Sequence, residues 1–188
     1  MRKLSVFNQV TLDGYFAGVN GDISWAHRQK EDAAWSAFVS GNASGQGQLL
    51  FGRITYELMT KYWPTPLAKE NDPIVADGMN RMPKVVFSRT LDTATWSNTT
   101  LVKTDMAAAV RRMKTEPGSD MVILGSGSIV SQLTQERLID EYQIVVLPSV
   151  LGKGRTMFDG VSDTLNLSLT STRHFDNGNV VLCYEPTN

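Results

Sequence analysis

Residues 49–56 combine residue types that suit a phosphate group. Their order, Leu-Leu-Phe-Gly-Arg-Ile-Thr-Tyr, is typical of a buried strand that stops at Gly52 and is followed by a helix. The first turn of a helix leaves backbone N–H groups without partners inside the helix. Arg53 and Thr55 add a guanidinium and a hydroxyl at the same place. We therefore predict an anion-binding turn here.

Two further predicted strands end in small, hydroxyl-bearing or basic residues. These are Ser88, Arg89 and Thr90 after one strand, and Gly125, Ser126, Gly127 and Ser128 after the other. Ligands of open α/β sheets collect at the carboxyl ends of the strands, so the three turns are expected to lie along one edge. Three such turns indicate a ligand with several phosphates, most simply a dinucleotide.

Strands alternate with helices along most of the chain. Strands are predicted at residues 4–10, 49–51, 84–88, 100–102, 121–124 and 142–147, and helices at 31–39, 54–62, 73–82, 106–113 and 128–135. Residues 40–48 are Gly/Ser/Asn-rich and are predicted as a loop, and we expect Asp72, Ser128 and either Thr104 or Asp105 to cap helices. Alternating leucines at 165–169 and a turn at 176–179 predict a final hairpin with residues 180–184. The predicted fold class is α/β, a three-layer α/β/α sandwich with a mixed, mostly parallel sheet and a C-terminal antiparallel hairpin.

Composition limits the classes of function. The 188 residues fit one domain, 1–188, and 18 basic against 19 acidic residues leave a net charge of −1, which argues against a nucleic-acid partner. No apolar run approaches the ~20 residues of a membrane span, so no membrane partner is expected. Cys183 is the only cysteine, and with two histidines it predicts no metal site and no disulfide framework. We expect a cytoplasmic protein.

Six segments occur in an order that resembles a known family. They are residues 11–18, 50–57, 86–89, 123–129, 138–141 and 147–152, and they extend over nearly the whole chain. This ordered set resembles the dihydrofolate reductase-like superfamily. It is most similar to the C-terminal reductase domain of bifunctional riboflavin biosynthesis proteins, here as a stand-alone bacterial member. The His-x-Glu and Cys-x-x-Cys motifs of the deaminase in those proteins are absent from the sequence.

The resemblance implies NADPH as the cofactor and assigns its contacts. The pyrophosphate would be lined by Gly52, Arg53, Thr55, Gly125, Ser126, Gly127, Ser128 and Ile129. Ser88, Arg89 and Thr90 would receive the 2′-phosphate and select NADPH over NADH. Residues 11–18, with Ala17, would lie along the nicotinamide. A homodimer is also implied, with the late strands and residues 147–152 as candidate contacts.

The implied reaction is hydride transfer from NADPH to a small nitrogen heterocycle, such as an aminopyrimidine of riboflavin synthesis. Two features depart from the relatives. The folate enzyme has a Leu-Pro-Gly-Arg turn whose Arg clamps the glutamate tail, whereas the turn here is Met82-Pro83-Lys84 and lacks that Arg. The riboflavin-pathway reductase has a Glu where this chain has Leu124. Reduction of dihydrofolate or another pterin, and nucleotide binding without turnover, therefore remain as alternatives.

Candidate residues for substrate and proton have structural alternatives. Asp32, in an Asp-x-x-Trp context, is the candidate proton relay, or it favours a helix dipole. Asp13 is a candidate substrate contact, although an Asp before a glycine commonly bonds its own turn. Of the aromatic candidates we select Trp25 and Tyr56 for the substrate floor over Phe16 and Trp63, with core packing as the alternative.

Overall fold

The computed structural model describes residues 1–27, 30–44 and 46–187. Its strands are β1 (Leu4–Thr11), β2 (Tyr15–Ala17), β3 (Gln48–Gly52), β4 (Lys84–Phe87), β5 (Thr99–Val102), β6 (Met121–Leu124), β7 (Glu141–Leu147), β8 (Arg155–Thr156), β9 (Leu167–His174) and β10 (Val180–Pro186). Its α-helices are α1 (Ala33–Ser44), α2 (Arg53–Thr60), α3 (Pro66–Asn71), α4 (Pro73–Arg81), α5 (Met106–Thr115) and α6 (Gly127–Gln135). Short 3-10 turns lie at Val19–Gly21 and Ser24–His27.

One mixed sheet organises these elements, with the strand order β5-β4-β3-β6-β1-β7-β10-β9. All pairs from β5 to β7 are parallel, whereas β10 runs antiparallel to both β7 and β9. The predicted α/β fold with a mostly parallel sheet and a terminal antiparallel hairpin is confirmed. A separate two-stranded ribbon joins β2 to β8.

Alternating side chains of the central strands build a core on each face of the sheet. On one face Leu50 and Val85 pack with residues of α5 and α6, including Val110 and Leu133. On the other face Phe51 and its same-face neighbours pack with residues of α1, α2 and α4. Strands that are buried on both faces have apolar residues at successive positions. The continuous apolar runs of the sequence therefore predict strands in the centre of the sheet.

Helix α1 is longer than predicted. It continues to Ser44, so residues 40–44 are helical where a loop was predicted, and Gly45 lies outside the described residues. The Gly/Ser/Asn-rich end of α1 has weak helix propensity, but Ala43 is buried in the core on the sheet face that holds Phe51. Burial of a helix face outweighs the propensity of its residues at this end.

Two of the predicted caps differ from the structure. Asp105 caps α5, accepting a 2.8 Å hydrogen bond from the N–H of Ala108. Asp72 occupies the N-cap position of α4, ahead of Pro73, but its side chain makes no capping hydrogen bond. The N-cap of α6 is Ser126 rather than Ser128. In the part of the chain that the structure describes, no helix is long and apolar enough to cross a bilayer.

Candidate functional site

Two of the predicted phosphate turns form a single structure at the carboxyl ends of β3 and β6. The N–H of Gly52 donates to Ser126 Oγ over 2.9 Å, and the N–H of Ser126 donates to Thr55 Oγ1, also over 2.9 Å. We call this pair of linked turns the double turn. Each turn therefore fixes the other, although 74 residues separate Gly52 from Ser126.

The backbone of the double turn depends on a glycine. Gly125 and Ser126 are both left-handed, with φ of 60° and 56°. A Cβ on Gly125 would lie 2.7 Å from Thr55 Cγ2, closer than such atoms approach. Two consecutive left-handed residues turn the chain sharply out of β6, so that α6 starts directly above the sheet edge.

Two helices begin at the double turn and point their amino ends towards the same space. Gly52 is the N-cap of α2 and Ser126 is the N-cap of α6, and neither makes a side-chain hydrogen bond that caps its own helix. The first-turn N–H groups of both helices therefore face this space together with the positive ends of two helix dipoles. Such an arrangement attracts a phosphate or another anion.

A cleft of about 790 Å³ lies over this edge of the sheet. Nine residues predicted to bind the cofactor line it: Gly52, Arg53, Thr55, Ser88, Arg89, Ser126, Gly127, Ser128 and Ile129. The structure thus brings residues from three separate turns to one cavity. Its volume is in the range of small-molecule and cofactor sites.

Arg53 lines the cleft and also pairs with a neighbour on its own helix. Its Nη1 lies 3.0 Å from Glu57 Oε2, and both side chains are about two-fifths exposed, at 42% and 41%. An exposed pair at this spacing contributes little to stability. The guanidinium is therefore held loosely and can turn to an anion in the cleft.

One end of the cleft is formed where β4 and β5 stop. Ser88 Oγ accepts hydrogen bonds from the N–H groups of Thr90 and Leu91, at 3.2 and 2.9 Å, and so shapes the turn that presents Arg89. Thr90 itself is exposed and does not line the cleft. Met106 from the first turn of α5 adds an apolar wall at this end.

The opposite end of the cleft is formed by the β2–β8 ribbon. Phe16 and Arg155 line it, and the Phe16 ring lies 3.1 Å from where a Cβ on Gly127 would stand. Phe16 therefore packs directly on the double turn. Ala17, the neighbour predicted to contact the cofactor, is 2% exposed and pairs with Arg155 in the ribbon instead of lining the cleft.

The structure places the two selected aromatic residues outside the cleft. Trp25 is 9% exposed and packs with Leu147 and Phe175 in a cluster beside β7 and β10. Tyr56 is 3% exposed, and its hydroxyl accepts a 2.9 Å hydrogen bond from the N–H of Trp96. Of the four aromatic candidates, Phe16 is the one that lines the cleft.

Asp32 caps α1 and does not line the cleft. Its Oδ1 accepts from the N–H of Trp35 over 2.9 Å, and its Oδ2 accepts from the N–H of Asn177 over 3.0 Å. These backbone donors, the Trp35 N–H above all, lower the pKa of the Asp32 carboxyl. The carboxylate thus joins α1 to the turn between β9 and β10.

Asp13 links the turn after β1 to the loop after β7. Its carboxylate accepts from the Thr11 hydroxyl over 2.6 Å and from the N–H of Gly152 over 2.7 Å, with Leu151 as a further donor. The Thr11 hydroxyl contributes most to lowering the pKa of Asp13, and the two backbone N–H groups add to it. Asp13 therefore has the structural role expected of an Asp in a turn before a glycine, and its carboxylate also accepts hydrogen bonds from a distant loop.

Comparison with known proteins finds sequence relatives over nearly the whole chain. The sequence profile of the family described as the RibD C-terminal domain matches residues 2–181. Uncharacterized protein YyaP of Bacillus subtilis (strain 168) is 27% identical over 183 residues, which is 97% of this chain and 94% of YyaP. Uncharacterized protein YwjB of the same organism is 28% identical over 176 residues, 93% of this chain and 92% of YwjB.

Solved structures share the fold. A protein provisionally assigned to riboflavin biosynthesis, from Shewanella sp. PV-4, matches with a TM-score of 0.76 and 20% identity over 99% of both chains. A diaminohydroxyphosphoribosylaminopyrimidine deaminase/5-amino-6-(5-phosphoribosylamino)uracil reductase from Thermotoga maritima matches with a TM-score of 0.70 and 13% identity, over 99% of this chain and 57% of that one. Dihydrofolate reductase from Enterococcus faecalis, complexed with NADP(H) and RAB-propyl, matches with a TM-score of 0.63 and 14% identity over 99% and 97%. The fold is therefore dihydrofolate reductase-like.

Proposed function

Because this chain belongs to the RibD C-terminal domain family, we propose that it is an NADPH-dependent reductase of a small nitrogen heterocycle. Membership of this family indicates an oxidoreductase. The proposed substrate is an aminopyrimidine of the 5-amino-6-(5-phosphoribosylamino)uracil type, which the Thermotoga maritima relative is named for reducing. A reducing cytoplasm suits the single cysteine, Cys183, which is buried.

The double turn is the observation that carries the NADPH assignment. A pyrophosphate above it would meet the amino ends of α2 and α6, with Arg53 beside them. Hydrogen bonds to a charged group contribute about 1.5–3 kcal/mol each. Two helix amino ends at one point fit the paired phosphates of a dinucleotide better than a single phosphate.

The β4 end of the cleft supports a preference for NADPH over NADH. Arg89 lines the cleft, and no ion pair within residues 1–27, 30–44 and 46–187 involves it. Its guanidinium and the Ser88 hydroxyl suit the extra 2′-phosphate of NADPH. One charge-assisted contact is enough for about tenfold discrimination.

The chemistry of the reaction divides between cofactor and chain. Bound NADPH supplies the hydride, and the chain must orient the two rings and provide a proton to the substrate. Asp32 is our candidate for the proton relay, although it does not line the cleft and each of its carboxylate oxygens accepts a backbone N–H. Because backbone donors lower its pKa, the carboxylate is ionised at neutral pH and would act by orienting a water rather than by storing a proton.

Lys84 argues against dihydrofolate as the substrate. It follows Pro83 in the turn where the folate enzyme has Leu-Pro-Gly-Arg with its clamp Arg; it is 1% exposed, and its Nζ donates to the carbonyl oxygens of Met82 and Asn80. The ammonium also lies 4.5 Å from the centre of the Trp96 ring. A lysine held in this way cannot reach the glutamate tail of a folate.

The test is thermal unfolding of the purified protein with NADPH, with NADH or with no ligand. NADPH at a hundred times its dissociation constant stabilises by about 2.7 kcal/mol, which raises the melting temperature of a domain of this size by about 5–10 °C. We expect a much smaller rise with NADH at the same concentration. Oxidation of NADPH in the presence of aminopyrimidines then tests the substrate.

Arg89→Ala is the matched variant for this measurement. It should lower the rise with NADPH to the level seen with NADH and leave the NADH response unchanged, because only the 2′-phosphate contact is lost. No rise with either cofactor in the wild-type protein would overturn the proposed function. Clear NADPH binding without turnover on any heterocycle would instead favour a nucleotide-binding protein.

A further inference from the structure

Asn8 is a buried amide in the middle of the central strand β1. It is 3% exposed and lies on the same side of the strand as Val6 and Val10, which belong to the apolar core. A buried amide is costly unless its donors and acceptor are paired. Its partners therefore reveal why a polar residue occupies this position.

The Asn8 amide bonds both backbone groups of Gly125, and so holds the two peptide units that flank this residue of the double turn. The N–H of Gly125 donates to Asn8 Oδ1 over 2.6 Å, and Asn8 Nδ2 donates to the carbonyl oxygen of Gly125 over 2.9 Å. In the β1–β6 pairing Phe7 is opposite Leu124, so Asn8 and Gly125 are the next pair along. The side chain thus continues the ladder where the backbone turns out of the sheet.

The second hydrogen of Asn8 Nδ2 has a partner in the segment that follows β8. It donates to the sulfur of Met157 over 3.1 Å, and Met157 is 2% exposed. The Met157 Cα lies 3.8 Å from where a Cβ on Gly127 would stand. Asn8 therefore connects β1, the double turn and the segment that follows β8.

We propose that Asn8 is a positioning residue that sets the double turn for the cofactor pyrophosphate. The Gly125 carbonyl that Asn8 bonds belongs to the same peptide unit as the N–H of Ser126, whose bond to Thr55 couples α6 to α2. Releasing that peptide lets the amino end of α6 move away from the amino end of α2. The inference rests on the proposed binding of NADPH, and Asn8 itself need not touch the cofactor.

The test compares two ligands in Asn8→Asp and in the wild-type protein. Asp keeps the size of the side chain, loses both Nδ2 donors and places a carboxylate oxygen against the Gly125 carbonyl. We expect the dissociation constant for NADPH to rise at least about tenfold, as for a lost charge-assisted contact. Adenosine 2′-monophosphate, which lacks the pyrophosphate and reaches only the β4 end, should bind within about twofold of wild type. Both are measured by titration at a temperature where circular dichroism shows each protein folded.

Asn80→Asp is the matched control because it changes another amide that is fully used in the structure. Asn80 donates to the carbonyl oxygens of Trp63 and Ala76 and accepts from the Trp96 indole, and none of these bonds involves a residue of the double turn. It should lower the melting temperature and leave both affinities unchanged. If Asn8→Asp does not fold, Asn8→Ala removes the two Nδ2 bonds and also the Oδ1 bond, without adding a charge.

A measurement on the wild-type protein makes the result independent of folding of the variants. The side-chain amide resonances of Asn8 should shift on addition of NADPH and not on addition of adenosine 2′-monophosphate. The role of Asn8 would be overturned if Asn8→Asp lost affinity equally for both ligands, or if its affinity for NADPH were unchanged. A wild-type protein that does not bind NADPH would instead overturn the proposed function.

Discussion

The carboxylate of Asp32 joins two distant parts of the chain, and its charge matters for both. Because its folded-state pKa lies below the ordinary value of 3.8, the carboxylate contributes stability above about pH 4 that is lost as the pH falls through the lowered value. Asp32→Asn keeps an acceptor for the Trp35 N–H and replaces the acceptor for Asn177 with an amine. We expect a lower melting temperature at pH 7 and a smaller difference from wild type at about pH 3.

The same variant tests the proton relay. General acid–base groups contribute about 100-fold or more to rate, so Asp32→Asn should lower turnover of the aminopyrimidine by about that factor with NADPH affinity unchanged. Asp72→Asn is the control, since Asp72 stands at a helix N-cap without a capping bond and should alter neither property. Full turnover in Asp32→Asn would limit Asp32 to its structural role.

Single residues were predictable where their role is local. Gly52, Thr55 and Ser126 were selected because each lies in a strand-to-helix turn that the sequence itself marks. Strand pairing brings Asn8 to the double turn and Phe16 to the cleft, and no local pattern indicates which strand will be the neighbour. The sequence does not decide the role of Tyr56, because an aromatic residue one turn into α2 fits a substrate site as well as it fits a buried core.

At the scale of elements, the start of α6 depends on Gly125. Alanine there would adopt φ near 60° and place its Cβ against Thr55, so Gly125→Ala combines backbone strain with a clash. Left-handed backbone costs a residue with a Cβ about 1–2 kcal/mol, and overpacking adds about 1–3 kcal/mol. We expect a loss of about 2–5 kcal/mol in the free energy of unfolding, measured with urea, together with weaker NADPH binding.

Gly21→Ala separates strain from clash. Gly21 also has a positive φ, 78°, but a Cβ there would meet nothing within 4 Å. The free energy of unfolding of Gly21→Ala should fall only by the cost of the left-handed backbone, about 1–2 kcal/mol, and NADPH should bind as it does to the wild-type protein. Equal losses at Gly21 and Gly125 would contradict the close approach of Gly125 to Thr55.

Elements were predicted well where a periodic pattern is long, and less well at their ends. The strands of the parallel sheet were found because they are short apolar runs between helices. The end of α1 and the β2–β8 ribbon were not, because burial of Ala43 and a pairing between residues more than 130 positions apart decide them. Both are tertiary effects that a local reading of propensity omits.

At the scale of the whole molecule, the sheet ends in two edge strands, β5 and β9. Edge strand β9 pairs only with β10 in the described sheet, and all eight of its residues are exposed. Leu167 and Leu169 are 37% and 50% exposed there. A long exposed edge with apolar side chains is normally covered by another chain.

We propose that two copies of the protein form a homodimer by antiparallel pairing of their β9 strands. A two-fold axis would bring the same strand together from both copies, so that the unpaired N–H groups of each edge donate to the unpaired C=O groups of the other and the sheet continues across the interface. Leu169→Glu should give a monomer in size-exclusion chromatography with light scattering at micromolar concentration, because it would place an unpaired carboxylate from each copy in the interface. Leu67→Glu, at a similarly exposed leucine of α3, should leave the mass unchanged. A monomeric wild-type protein would contradict the homodimer. A dimeric Leu169→Glu variant would place the interface away from β9.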